Sequence, residues 1–97
     1  MLDFEKKLNE LEKCVVQVSE AIYKNSGLIE KFNSNVKYHK SKGNLEEFLD
    51  AKEKLERFSA REINLMQEKQ LLLKEKILLL ELISRSKSEG NSLNFFH

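Results

Sequence analysis

Ser41-Lys42-Gly43-Asn44-Leu45-Glu46-Glu47 is the stretch that decides the fold. Gly43 suits the left-handed residue that closes a helix. Asn44 with Glu47 three residues later reads as a capping box that opens the next one. Lys37, Lys40 and Lys42 precede the glycine, where the negative end of a helix favours cations. These signals place a turn at 41–44 with a helix on either side.

Upstream of the turn, Phe4, Leu8, Leu11, Val15, Val18, Ile22, Asn25, Ile29, Phe32 and Val36 follow one another at alternating spacings of four and three. That is the heptad signature, an average of 3.5 residues that keeps one stripe of a helix facing a partner. Asn25 is its single polar member and reads either as a buried residue that sets register at a cost in stability or, beside Gly27, as the mark of a bend facing solvent. Cys14, Ala21 and Leu28 form a flanking column that widens the apolar face, and Cys14 is expected to be a small buried hydrophobe there. Asn25-Ser26-Gly27 lowers helix propensity. Ile22, Ile29 and Val36 nevertheless stay in phase across it, so helix one is expected to run unbroken over about 3–40, the alternative being a break at Gly27.

Downstream, helix two is expected over about 45–87. Phe48, Ala51, Leu55 and Phe58 follow the three-four rule, as do Ile63, Met66, Leu73, Ile77 and Leu80, with Gln70 in one seam position. The five-residue step from Phe58 to Ile63 predicts a shift of the stripe around the helix. Nine of the thirteen residues from Leu71 to Ile83 are aliphatic. A helix apolar nearly all round is covered nearly all round, and one antiparallel neighbour cannot do that. Leu28, Leu65, Leu72, Leu73, Leu79, Leu80 and Ile83 are therefore the candidate partner or oligomer interface. Residues 88–97 read as a flexible tail, in which Leu93, Phe95 and Phe96 could form a short docking motif.

Composition agrees with long helices. Proline is absent, and 34% of the chain is charged. The expected fold class is all-α: an antiparallel hairpin of two long helices with coiled-coil-like packing, assembling into a dimeric helical bundle. The net charge is +1, with eight Lys against six acids in residues 1–43 and nine Lys+Arg against ten acids in 44–97. That balance disfavours a nucleic-acid binder, which would present a strongly basic face. A turn run with Lys37, Lys40 and Lys42 reads as solvated, or as a contact for phosphate or an acidic partner. The acidic N-terminus is unlike a signal peptide, and the most apolar window is too short and too charged to span a membrane. A cytoplasmic protein is the expectation.

The residues that chemistry needs do not converge. His39 and His97 have no second ligand at helical spacing, Cys14 is alone, and no glycine-rich phosphate loop or Ser-His-Asp logic occurs. Glutamates alternate with Lys and Arg as intrahelical pairs, Glu53 to Arg57 among them. No catalytic residue, metal site or cofactor is expected, and the chain is not expected to be an enzyme. The function expected is a helical protein–protein interaction module, an adaptor or structural subunit that self-associates or binds partner helices through apolar heptad stripes. Gly43-Asn44-Leu45-Glu46-Glu47-Phe48-Leu49-Asp50 and the charged helix after it resemble the start of the second helix in flagellar and type III secretion chaperones. That resemblance covers less than a third of the chain. It implies a small export or assembly chaperone that binds an amphipathic helix of its client.

Overall fold

In the computed structural model the chain is two helices, α1 over Leu2–Lys42 and α2 over Leu45–Phe96. The structure describes the backbone of residues 2–96 and the side chains of residues 3–87. The two helices pack against each other as an antiparallel hairpin, as the turn chemistry predicts.

The turn closes by backbone hydrogen bonds. Gly43 adopts φ 71°, the Gly43 N–H donates to the Lys40 carbonyl at 3.4 Å, and the Asn44 N–H donates to the His39 carbonyl at 3.0 Å. This is the Schellman pattern, in which two orphan carbonyls at the end of α1 are satisfied. The expected capping box is not made. Asn44 opens α2 with its backbone carbonyl, which accepts from the Phe48 N–H at 2.9 Å, while its side-chain Nδ2 lies 3.3 Å from His39 Nδ1. The boundary stands where the sequence puts it, held by a different set of bonds.

α1 is unbroken through Gly27, where a side chain would meet open space. The glycine therefore marks neither a bend nor a close approach. Its seam is the predicted one: Leu11, Val18 and Asn25 are buried, and Phe4, Leu8, Val15, Ile22, Ile29, Phe32 and Val36 are half-buried. Cys14 corrects an expectation, being exposed. α2 stays helical through Phe96, past the Lys87 end that the sequence suggests. Ser, Asn and Gly lower helix propensity there, but without proline every backbone donor remains in place. The side chains of Phe95 and Phe96, and with them the docking motif, lie outside the described residues.

The seam of α2 differs from the one expected. Phe48, Ala51, Leu55, Phe58, Glu62, Leu65, Lys69, Leu72, Lys76, Leu79 and Ile83 are all buried or half-buried and are spaced three and four without a slip. The packed seam keeps its phase past Phe58, while the apolar stripe shifts off it there, leaving Ile63, Met66, Leu73, Ile77 and Leu80 exposed. Glu62, Lys69 and Lys76 occupy the positions that a search for apolar residues passes over, because long charged side chains can lay an aliphatic stem along a seam and keep the head wet.

The result is a rod, 81 × 15 × 13 Å, with a radius of gyration of 22.3 Å. A compact domain of this length would have about 12–13 Å. Its accessible surface is 7862 Å², where a folded monomer of this mass exposes about 5,800 Å². Folding as a single chain hides about half of the extended chain's surface instead of about two-thirds.

Candidate functional site

Near the turn the hairpin is well packed. Phe32 and Phe58 stack with ring centroids 5.4 Å apart, and the ammonium groups of Lys31 and Lys54 lie 5.9 and 5.7 Å from the Phe32 ring centroid. α2 carries two i,i+4 pairs at 3.1 Å, Asp50–Lys54 at the edge facing Phe32 and Glu53–Arg57 on the exposed surface. The second of these is the acid-to-base step read from the sequence.

At mid-length the contacts become polar. Asn25 is 3% exposed, and its Nδ2 donates to the Phe58 carbonyl at 2.8 Å. A carbonyl has a second lone pair, so Phe58 can accept this bond and still serve its own helix. Next to it the Ser26 hydroxyl donates to Glu62 Oε1. Both bonds cross from α1 to α2, so the register role read for Asn25 has its geometry: a slipped helix would leave a buried amide unpaired, at about 1–3 kcal/mol. Further out Lys76 Nζ meets Glu12 Oε1 at 3.7 Å, a third polar link across the hairpin.

Beyond this lock α2 carries two apolar faces. Leu65, Leu72, Leu79 and Ile83 belong to the inner seam, with Leu79 only 6% exposed. Of the interface candidates, these four lie in the seam between the helices, Leu65, Leu72 and Ile83 half-buried and Leu79 buried. Leu28, Leu73 and Leu80 are exposed. Leu73 and Leu80 belong to a second column, one residue beyond the inner seam, that includes Ile63, Met66, Gln70 and Ile77. Ile63 is 59% and Ile77 57% exposed. In the sequence this stripe is shifted around the helix from that of the first half, and its residues are exposed. It is a ridge on the outside of the rod.

One flank of the hairpin is marked by Ser26–Glu62 and Glu12–Lys76. On α2 this flank continues as Met66, Leu73 and Leu80, with Ile63 and Ile77 just beyond. On α1 helical phase places Asn9, Glu12, Val16, Ser19 and Tyr23 there, a mixed surface in which Val16 and Tyr23 are exposed. The opposite flank carries Leu28 beside Ala21 and Arg61, which share a shallow depression with Asn25. Leu71, Leu78 and Leu82 are exposed on α2 as well, interrupted by Glu68 and Glu75. The ridge from Ile63 to Leu80 keeps heptad spacing throughout and is interrupted by one polar residue, Gln70.

The rest of the surface offers little to bind a small molecule. A depression of about 350 Å³ beside the turn is lined by Phe32, Asn35, His39, Ala51, Lys54 and the acids Glu46, Glu47 and Asp50, and it is wide open. Among the described residues no group of three or more His, Cys, Asp and Glu could hold a metal ion, and no helix is long and apolar enough to cross a membrane. Lys37, Lys40 and Lys42 are exposed around the turn. No protein-family model, curated protein or solved structure matches the chain.

Proposed function

We propose that this chain is a non-enzymatic helical interaction module, an adaptor or structural subunit whose function is to place an apolar helix face against other helices. The observation that carries this reading is the ridge Ile63, Met66, Leu73, Ile77 and Leu80, exposed on a rod whose own inner seam is already filled. Contiguous apolar surface of this kind marks an interaction site. Its anchors stand at i, i+3, i+10, i+14 and i+17 with Gln70 at i+7, a helical repeat of the kind that an amphipathic helix meets when it packs lengthwise. Charge plays the smaller part, setting encounter rate and register.

The native size of the chain in cell extract tests the reading. Wild type should elute in an assembly larger than a single hairpin. Ile77→Ser with Leu80→Ser should release a free, still helical hairpin, and replacing Lys37, Lys40 and Lys42 by Ala should leave the assembly intact. If the lysine variant instead dissociates, with steep dependence on salt, the partner is acidic and the apolar reading fails. A one-to-one complex with an amphipathic client helix would shift the reading to an export or assembly chaperone.

A further inference from the structure

Resting on that reading, we infer that the occupant of the α2 ridge is a second copy of the same chain, with the two α2 helices antiparallel about a two-fold axis between Gln70 and Leu73. Three observations support one partner of this identity.

The first is direction. Successive residues advance about 100° around a helix, so a ridge displaced by one residue from the inner seam points about 100° away from α1. A helix at the corner of a four-helix bundle touches two neighbours about 90° apart. α2 is built for such a corner, and a single hairpin fills only one of its two sides.

The second is symmetry. The ridge positions 63, 66, 70, 73, 77 and 80 are spaced three, four, three, four, three, the same in both directions. Turned about its midpoint, the ridge lays Ile63 on the partner's Leu80, Met66 on the partner's Ile77 and Gln70 on the partner's Leu73. Each apolar anchor except Leu73 meets one of similar volume. The two Gln70 side chains straddle the two-fold axis, about 4.5 Å apart along the helix direction, where one amide can satisfy the other and fix the register as a seam amide does. The matching flank of α1 is mostly Asn, Glu and Ser, so within this chain the apolar complement to α2 is α2 itself.

The third is area. The chain exposes 7862 Å², about 2,000 Å² above the ordinary value for its mass, and a standard interface takes about 800 Å² from each partner. A net charge of +1 per chain puts no repulsion in the way. The axis lies level with Val16 of α1, so the two turns project from opposite ends and do not collide.

Mixed disulfide trapping and sedimentation equilibrium of the purified full chain test this together. In a Cys14→Ser background, one chain carries Ile63→Cys and a second, distinguished by mass, carries Leu80→Cys. Both sites are exposed, so both chains should fold, which circular dichroism checks. After joint refolding and mild oxidation the 63-to-80 mixed disulfide should predominate. Predominance of 63-to-63 and 80-to-80 products would mean parallel helices and overturn the proposal. Leu73→Lys with Ile77→Lys should give a helical monomer whose dimerisation is at least about 100-fold weaker, and an intact dimer in that variant would also overturn it. A purified wild type that sediments as a monomer at micromolar concentration defeats the second copy as occupant. The interaction-module reading fails separately, when the chain runs as a free hairpin in cell extract too.

Discussion

The half of the hairpin beside the turn and the half beyond Asn25 are built from the same heptad but spend it differently. Beside the turn α2 turns Phe48, Ala51, Leu55 and Phe58 toward α1, with Glu53–Arg57 on its exposed surface and Leu45 and Leu49 its only exposed large apolar side chains. Beyond Asn25 it places Glu62, Lys69 and Lys76 in the inner seam and Ile63, Met66, Leu73, Ile77 and Leu80 outside. The near half has the pattern of a helix with one neighbour. The far half, with charges admitted to the inside and aliphatics left on the outside, has the pattern of a helix with two. A charged seam position is thus no sign of a failed coiled coil when the adjacent column is apolar.

The strongest way to break this comparison is to exchange the two columns of the far half. Leu72→Ser with Leu79→Ser removes seam leucines and should destabilise the hairpin by about 4–6 kcal/mol, at the usual cost of large-to-small core changes; thermal melts should show helix loss at any concentration. Leu73→Ser with Leu80→Ser should leave the dilute hairpin helical and change only its association. Equal effects from the two pairs would erase the distinction between seam and ridge.

Asn25 is the border of the comparison and gives the middle-sized effect. Asn25→Leu should raise thermal stability by about 1 kcal/mol, since a buried seam amide trades stability for register. Register specificity should fall with it, seen as multiple amide resonances where the wild type gives one set. A single set of resonances would show that Phe32–Phe58 stacking and the turn suffice to hold register.

Glu12–Lys76 sharpens the comparison at its smallest. Both side chains are partly exposed, 48% and 33%, and such pairs contribute about 0–1 kcal/mol. Glu12→Gln should therefore lower stability by less than about 0.5 kcal/mol, and the difference should vanish in high salt. A larger loss would mean that the far half depends on this link more than on its leucines.

Much of the fold is legible in the sequence. The turn at Gly43 and every seam position of α1 can be read directly, because apolar residues there stand where the period requires them. Continuous helix across Gly27 follows from the same phase. The seam of α2 is harder to see. Continuing the heptad from Phe48 without a slip leads through Glu62, Lys69 and Lys76, whereas the apolar residues invite a five-residue step to Ile63. Periodicity of hydrophobic residues finds the face that is most apolar, and in the far half that is the ridge. The residues of the candidate site and the turn of their stripe away from the first half's were thus visible, while the charged continuation of the inner seam was not. Leu72 and Leu79 could be told from Leu73 and Leu80 only by packing against α1. The exposure of Cys14 has the same origin, since its column flanks a seam that one partner helix already fills.

The left-handed glycine at 43 also orders events in time. Contacts across the hairpin join residues ever farther apart in sequence as they recede from it: Phe32 with Phe58, Ser26 with Glu62, then Glu12 with Lys76. Closing the long loops directly costs more entropy than extending a hairpin already begun, so folding zips outward from the turn and reaches the Asn25 lock before the far half. Until that half closes, a nascent chain shows both faces of α2 at once. A neighbouring α1 can then take the place of its own, and the same tight turn that starts the zipper guards against that exchange by keeping the correct α1 close at hand.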